Sequence, residues 1–172
     1  MSQKGAIILF IRLSRDEDKE QIKGLLMLCF GDRSHYDCLE NLNGRYLLAF
    51  ESDNLIGMTG LNYNAQKKRY EVDWTGTHPE YQGKGVMHEL FKRICALTDE
   101  DIYCSCWRHQ GSSRINLYSL MRDFGFREVI KSALTHNCIS DNSYCVAQKV
   151  VDGKREHCRY YEDLYLREKK GG

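Results

Sequence analysis

The sequence predicts a single mixed α/β domain, with one mostly antiparallel central sheet and helices on both of its faces. Three observations favour this class. The chain has 172 residues, a length that suits one compact domain with a hydrophobic core. Segments with strand and helix periodicity alternate along the chain without a linker or a repeat. Their order is βααβββαβαββ.

The first half of the chain predicts four strands and two helices. Apolar residues dominate 6–13, which indicates a buried first strand. Helical spacing of apolar residues predicts a helix over 16–30, and Ser14 with Glu17 is expected to form its capping box. Turn residues delimit the elements that follow, namely a short helix over 34–42 and strands over 45–51, 55–63 and 69–77.

The second half begins with a strongly helical pattern at 83–97, followed by a strand at 101–107 and a helix at 112–124. Two strands, over 128–135 and 144–150, complete the domain, which is expected to span 1–150. Residues 151–172 are charged and rich in tyrosine, and we interpret them as a C-terminal tail without an assigned place. The tail could dock on a second subunit, giving a homodimer, or on the chain's own sheet.

The overall charge excludes some classes of partner. Lys and Arg number 25 against 24 for Asp and Glu, which gives a net charge of +1. This balance argues against nucleic acid or an anionic membrane as the main partner. No stretch reaches the roughly 18 apolar residues of a membrane-spanning helix. We therefore expect a cytoplasmic protein.

Eight cysteines are a high number for this length. Disulfide-built folds are usually shorter, with weak cores and a secretion signal, so reduced thiols are expected. A metal site formed by Cys104, Cys106 and His109 is a competing interpretation. We favour the structural one, with Cys104 and Cys106 as small apolar side chains on one face of a strand, because zinc sites usually separate paired cysteines by two or more residues. No metal is expected.

The most informative segment joins a predicted strand to a predicted helix and contains the only proline. It reads Thr75-Gly76-Thr77-His78-Pro79-Glu80-Tyr81-Gln82-Gly83-Lys84-Gly85-Val86-Met87. Gly83 and Gly85 allow a tight curl and a close approach of a ligand to the backbone. The first amides of a helix have no internal partners and lie at the positive end of its dipole. This turn is therefore predicted to bind a pyrophosphate, with Lys84 adding positive charge.

A glycine turn that binds nothing is the simpler alternative, and the spacing fits neither a P-loop nor a dinucleotide motif. The segment resembles instead the coenzyme A motif of the GCN5-related N-acetyltransferase (GNAT) superfamily. In that family a Val-x-Pro-like step is followed by Gln/Arg-x-x-Gly-x-Gly/Ala at a helix start. Here Thr77-His78-Pro79 and Gln82–Met87 occupy these positions. A second family motif, a helix ending in Gly-Phe before a strand, is matched by Leu120–Phe126.

The resemblance implies the acyl-CoA N-acyltransferase fold and an enzyme that transfers an acetyl group from acetyl-CoA directly to an amine. It also implies a set of cofactor-binding residues. The backbone of Thr75 and Thr77 is expected to pair with the pantetheine arm, beside a strand that splays away and near a bulge at Gly76. The pyrophosphate is expected on Gln82, Gly83, Gly85, Val86 and Met87, with Lys84 near the adenosine 3′-phosphate.

Two methionines depart from the family pattern. Met87 stands where the family has a small residue. Met121 stands where many members have a tyrosine that protonates the departing thiolate, and Tyr118, one helical turn earlier, could supply that hydroxyl.

The amine must lose a proton to attack, since its ordinary pKa is near 10. By position, Glu71 matches the catalytic glutamate of histone-type members, and Asp73 shares its face of the strand. Burial could raise the pKa of either carboxylate. The alternative is an ordinary solvated carboxylate.

The expected acceptor is a polar small-molecule amine. Two other functions stay open at this point, a non-catalytic acyl-CoA-binding regulatory domain and a metal-stabilised interaction domain.

Overall fold

A computed structural model describes residues 8–30, 39–109, 117–138, 150–151, 154–155 and 158–169. Within these residues the chain forms three α-helices: α1 (Lys19–Phe30), α2 (Val86–Ile94) and α3 (Leu117–Asp123). Short 3₁₀ turns at Asp16–Asp18 and Pro79–Tyr81 precede the first two helices. The strands of the described chain are β1 (Phe10–Leu13), β2 (Tyr46–Glu51), β3 (Asn54–Asn64), β4 (Arg69–Thr77), β5 (Ile102–His109), β6 (Arg127–Cys138), β7 (Val150–Val151), β8 (Lys154–Arg155) and β9 (Cys158–Arg167).

Seven of the described strands form one sheet in the order β1-β2-β3-β4-β5-β9-β6, and β7 pairs with β8 in a separate two-stranded sheet. The pairing of β4 with β5 is parallel and joins Tyr70 to Ile102 and Glu71 to Tyr103. The pairs β1–β2, β2–β3, β5–β9 and β6–β9 are antiparallel. The predicted fold class, a mixed α/β protein with a mostly antiparallel sheet, is confirmed.

The chain divides into two compact units, one of residues 1–62 and 73–98, the other of residues 63–72 and 99–172. In the first unit, α1 and α2 pack on opposite faces of the strands. Leu48 and Met58 lie opposite each other on β2 and β3 and belong to a buried cluster with the apolar face of α1. The neighbouring Gly57 points the other way, because successive strand residues alternate between faces. A Cβ added to Gly57 would lie 2.7 Å from Val86 and 3.2 Å from Leu90 of α2.

Ser14 does not cap the first helix. It is buried, its hydroxyl donates to the carbonyl of Leu42, and it accepts the N–H of Tyr46 at 2.9 Å. The predicted capping box of Ser14 and Glu17 is therefore wrong. The reason is tertiary, since the buried hydroxyl joins the backbone of Leu42 to the N–H of Tyr46 and is not available to the start of the helix.

The carboxylate of Asp18 organises this helix start instead. It accepts the N–H of Arg15 at 2.8 Å and two bonds from the guanidinium of Arg12 at 2.6 and 2.7 Å. The hydrogen bonds from Arg12 hold the pKa of Asp18 below its ordinary value, although burial acts in the opposite direction.

In the second unit, β9 lies between β5 and β6 in the strand order. Tyr165 and Leu166 of this strand are buried. The periodicity predicts no strand in residues 151–172, so β9 is an element that it missed. Of the two alternatives for the tail, docking on the chain's own sheet is the one observed for β9. The predicted helix over 34–42 and strand over 144–150 fall mostly outside the described residues.

Candidate active site

The turn between β4 and α2 has the backbone that its two glycines permit. After Thr77 the chain makes the 3₁₀ turn Pro79–Tyr81 and then enters α2 at Val86. Gly83 has a φ of +74° and Gly85 a φ of +82°, which are left-handed values that other residues adopt at a cost. A Cβ added at either position would meet no protein atom within 4 Å. The glycines are thus needed for backbone conformation, and the space beside them is open.

Four amides at the end of this turn and the start of α2 are available to a ligand. Within the described residues, the N–H groups of Gly83, Gly85, Val86 and Met87 donate to no protein acceptor. Gly85 is the N-cap of α2 and offers no side chain to the helix start. These donors lie at the positive end of the helix dipole, so the arrangement suits an anion with several oxygens. A diphosphate has this chemistry.

Tyr81 connects the turn to its surroundings. Its hydroxyl donates to Glu51 at the end of β2, and this hydrogen bond raises the pKa of Tyr81. The ammonium of Lys84 lies 4.6 Å from the centroid of the Tyr81 ring, a cation–π contact. The side-chain amide of Gln82 donates to the carbonyl of Thr77 at 3.4 Å. Lys84 and Gln82, both predicted cofactor-binding residues, therefore lie on the same turn with defined contacts.

The C-terminal half of β4 is irregular at Trp74, which has a φ of +21°. The sequence had led us to expect the irregularity at Gly76. Gly76 has a packing role, because a Cβ there would lie 3.0 Å from the sulfur of Cys29. The hydroxyl of Thr75 lies 2.9 Å from that of Thr59, and the thiol of Cys29 donates to the carbonyl of Thr77 at 3.4 Å.

Glu71 is held by three donors from the hairpin between β3 and β4. Its carboxylate accepts from Asn64 at 3.0 Å, from Lys67 at 3.0 Å and from Arg69 at 2.7 Å. Burial alone would raise the pKa of Glu71, but the hydrogen bonds from Lys67, Asn64 and Arg69 outweigh it and leave the pKa below its ordinary value. The expectation of a raised pKa at Glu71 is therefore wrong. Glu71 is ionised at neutral pH but is a weak base.

Asp73, in the first unit, also accepts hydrogen bonds on both oxygens of its carboxylate. Its Oδ2 accepts from Arg45 at 3.2 Å, from the hydroxyl of Tyr46 at 3.1 Å and from Asn62 at 2.5 Å. Its Oδ1 accepts the N–H of Trp74 at 3.0 Å. The sequence did not reveal this network, because the partners lie 11 to 28 residues away and no local pattern links them.

The family's tyrosine position is occupied by a buried residue. Met121 on α3 has no exposed surface. Tyr118 precedes it by three positions on the same helix, and its side chain lies outside the described part of the chain. The helix ends at Gly125, whose φ is +80°, and the N–H of Phe126 bonds the carbonyl of Met121 at 3.0 Å. The Gly-Phe motif thus forms a left-handed helix stop.

No metal centre is found among the residues whose side chains are described. Cys104 is buried, and Cys29, Cys95 and Cys104 form no disulfide bond within the described part of the chain. The side chains of Cys106 and His109 fall outside the described set. In the described chain, every helix is too short or too polar to cross a bilayer.

The sequence profile of the acetyltransferase (GNAT) family matches residues 11–126, about two thirds of the chain. This chain belongs to the GNAT family. Family membership confirms the predicted enzyme class, an acyltransferase. The match includes the glycine turn, β4 and the Gly-Phe motif, which are the segments that carried the resemblance. No curated protein sequence matches significantly.

Solved structures agree on the fold. The ribosomal-protein-S18-alanine N-acetyltransferase of Escherichia coli has a TM-score of 0.68 at 10% identity, over 96% of this chain and 97% of its own. The yncA structure of Salmonella typhimurium, determined with its cofactor acetyl-CoA, has a TM-score of 0.65 at 14% identity, over 96% of each chain. A Pyrococcus horikoshii structure has a TM-score of 0.59 at 21% identity, and the alignment covers 81% of this GNAT chain but only 50% of the other.

Proposed function

We propose that this GNAT protein transfers an acetyl group from acetyl-CoA directly to the amine of a polar small molecule. One observation carries the proposal: four consecutive or near-consecutive amides, on Gly83, Gly85, Val86 and Met87, lack protein partners at an uncapped helix start. Such donors are costly to leave unsatisfied unless water or a ligand reaches them. Of the eight cysteines, the three whose side chains are described, Cys29, Cys95 and Cys104, are not in disulfide bonds, which is consistent with a reducing, cytoplasmic setting.

In this proposal the free amides and the side chain of Gln82 hold the pyrophosphate of coenzyme A. The open space beside Gly83 and Gly85 supports this, since a phosphate can approach the backbone without meeting a side chain. The backbone of Thr75 and Thr77 receives the pantetheine arm. Lys84 provides positive charge at the rim.

The reaction is a nucleophilic acyl substitution. The amine nitrogen attacks the thioester carbonyl, the C–S bond breaks, and coenzyme A leaves as a thiolate that takes up a proton. Glu71 and Asp73 are the candidate groups to receive the amine proton, and Tyr118 the candidate to protonate the thiolate. Because Glu71 and Asp73 each accept several hydrogen bonds, a substrate amine would have to compete with those donors or lose its proton through water.

The decisive test is titration with acetyl-CoA and coenzyme A by calorimetry and by thermal shift. Gly85→Ala adds a Cβ to the open cradle and strains a φ of +82°. Gly44→Ala is a matched control, because Gly44 has a φ of +72° and equally no atom within 4 Å of an added Cβ. Both variants should lose about 1 kcal/mol of stability, and only Gly85→Ala should lose affinity for the cofactor. Absence of binding to the wild-type protein at millimolar cofactor would remove the proposal.

A second candidate function is non-catalytic binding of acyl-CoA, and two observations favour it. Both candidate bases are tied to other groups, and a buried Met121 replaces the family's tyrosine. Glu71→Gln separates the alternatives, with consumption of acetyl-CoA measured against a panel of primary amines. Retained binding with lost turnover supports Glu71 as base. Wild-type protein that binds acetyl-CoA but acetylates no amine of the panel favours the binding function.

A further inference from the structure

We infer that Asp73 is a positioning residue, whose carboxylate fixes the irregular backbone at Trp74 and Thr75 and so shapes the strand that receives acetyl-CoA. The inference rests on the proposed function, because the importance of this strand depends on the cofactor lying against it. It assigns Asp73 a role other than the general base that its place on β4 suggested.

The carboxylate is anchored from two neighbouring strands. Arg45, immediately before β2, donates to Oδ2 at 3.2 Å, and Tyr46 donates its hydroxyl to the same oxygen at 3.1 Å. Asn62 of β3 adds a third bond at 2.5 Å. A side chain with a cation and two neutral donors on one oxygen has a fixed orientation. These partners also occupy the lone pairs that a general base would offer to a substrate proton.

The second oxygen of Asp73 acts on the backbone of its own strand. Oδ1 accepts the N–H of Trp74 at 3.0 Å, while the hydroxyl of Thr75 donates to the Asp73 carbonyl at 3.3 Å. The φ of +21° at Trp74 is one that side-chain-bearing residues rarely adopt, so surrounding contacts must maintain it. The Trp74 ring is held in turn by an edge contact with Phe30, with 5.6 Å between ring centroids.

Trp74 is therefore held at two points. Its ring packs against Phe30, and its backbone N–H is bonded to the fixed carboxylate of Asp73. The residue that follows, Thr75, is one whose backbone is expected to meet the pantetheine arm. A shift of this segment would therefore weaken cofactor binding, whereas loss of a general base would leave binding intact and slow only the transfer.

The test compares acetyl-CoA affinity in four proteins by calorimetry: wild type, Asp73→Ala, Asp73→Asn and the control Asp53→Ala. Asp53 is exposed on the turn between β2 and β3, and its variant should bind as the wild type does. Asp73→Ala should bind about 10-fold more weakly, since the loss of one backbone hydrogen bond to the pantetheine arm has an effect of about this order. Asp73→Asn has a single acceptor oxygen, which serves either the Trp74 amide or the donors of Arg45, Tyr46 and Asn62, and it should recover only part of the affinity. Unchanged affinity in Asp73→Ala would overturn the inference.

A second measurement does not depend on the cofactor. In NMR spectra, the backbone amide proton resonance of Trp74 should move upfield in Asp73→Asn relative to the wild type, because a neutral acceptor makes a weaker hydrogen bond than a carboxylate. This variant is isosteric, so the measurement remains decisive if Asp73→Ala does not fold. An amide resonance that stays in place removes the inference, while wild-type protein without acetyl-CoA affinity removes the proposed function.

Discussion

Cys29 shows how position determines the reactivity of one side chain. Its thiol is half-buried, packs against Gly76 and donates to the carbonyl of Thr77. Burial raises the pKa of Cys29 from 9.0 to about 11. The thiolate is the nucleophilic form, so two pKa units correspond to about 100-fold slower alkylation at neutral pH. We expect iodoacetamide labelling of Cys29 to be slower than that of glutathione by this order, as measured by peptide mass spectrometry.

The same shift predicts the pH dependence of stability. The pKa of Cys29 in the folded protein lies above its value in the unfolded chain. The contribution of the neutral thiol to folding stability is therefore fully present below about pH 9 and is lost as the pH rises toward 11. Urea denaturation should show that the free energy of unfolding of the wild type falls between pH 8 and pH 10.5, and that this fall is smaller in Cys29→Ser. Fast labelling, together with an equal alkaline loss in both proteins, would contradict this account.

Single residues differ in how far the sequence alone could predict their role. Gly83 and Gly85 were predictable because their role depends on local backbone conformation, which glycine permits regardless of the rest of the fold. Ser14 and Asp73 were not, because their hydrogen-bond partners come from distant segments. A serine before a helix suggests a cap, and only the fold shows that Ser14 instead satisfies buried backbone groups of another turn.

At the scale of elements, a glycine at the end of a helix has a different effect on stability from a glycine inside a helix. Gly125 ends α3 with a φ of +80°, and its N–H bonds the carbonyl of Arg122 at 3.0 Å. Gly24 lies inside α1, where an added Cβ would meet nothing within 4 Å. We expect Gly125→Ala to cost about 1–2 kcal/mol, from left-handed strain, and Gly24→Ala to stabilise by about 0.5–1 kcal/mol. Urea denaturation measures both, and effects of the same sign would contradict the helix-end assignment.

The elements themselves were predicted unevenly, for physical reasons. β4 was predicted at 69–77 and is observed as Arg69–Thr77, since its ends are marked by a polar turn and a proline. Helix α2 was predicted to begin at residue 83 but begins at Val86, because Gly83 and Gly85 adopt left-handed φ values before it. Strand β9 was missed, because its charged and tyrosine-rich sequence lacks the alternation of a half-buried strand.

At the scale of the whole molecule, the C-terminal strand β9 provides the central pairing of the second unit. Leu166 pairs with Tyr103 of β5 and with Arg127 of β6, and Tyr165 is 1% exposed. A missing strand between two others leaves both with unsatisfied backbone groups. The residues after 150, which the sequence had left as a tail, are therefore expected to determine the stability of this unit.

Tyr165→Ala tests this expectation. Removing a buried aromatic side chain should cost about 3–5 kcal/mol of folding stability. Tyr63→Ala is a suitable control, because Tyr63 belongs to the same unit, is 57% exposed and contacts only the Tyr70 ring among the described aromatic residues. Hydrogen exchange followed by mass spectrometry should show faster exchange of the β5 and β6 amides in Tyr165→Ala, and β2 and β3 amides should change less if the two units open separately. Equal stability of the two variants would mean that β9 adds little to the fold.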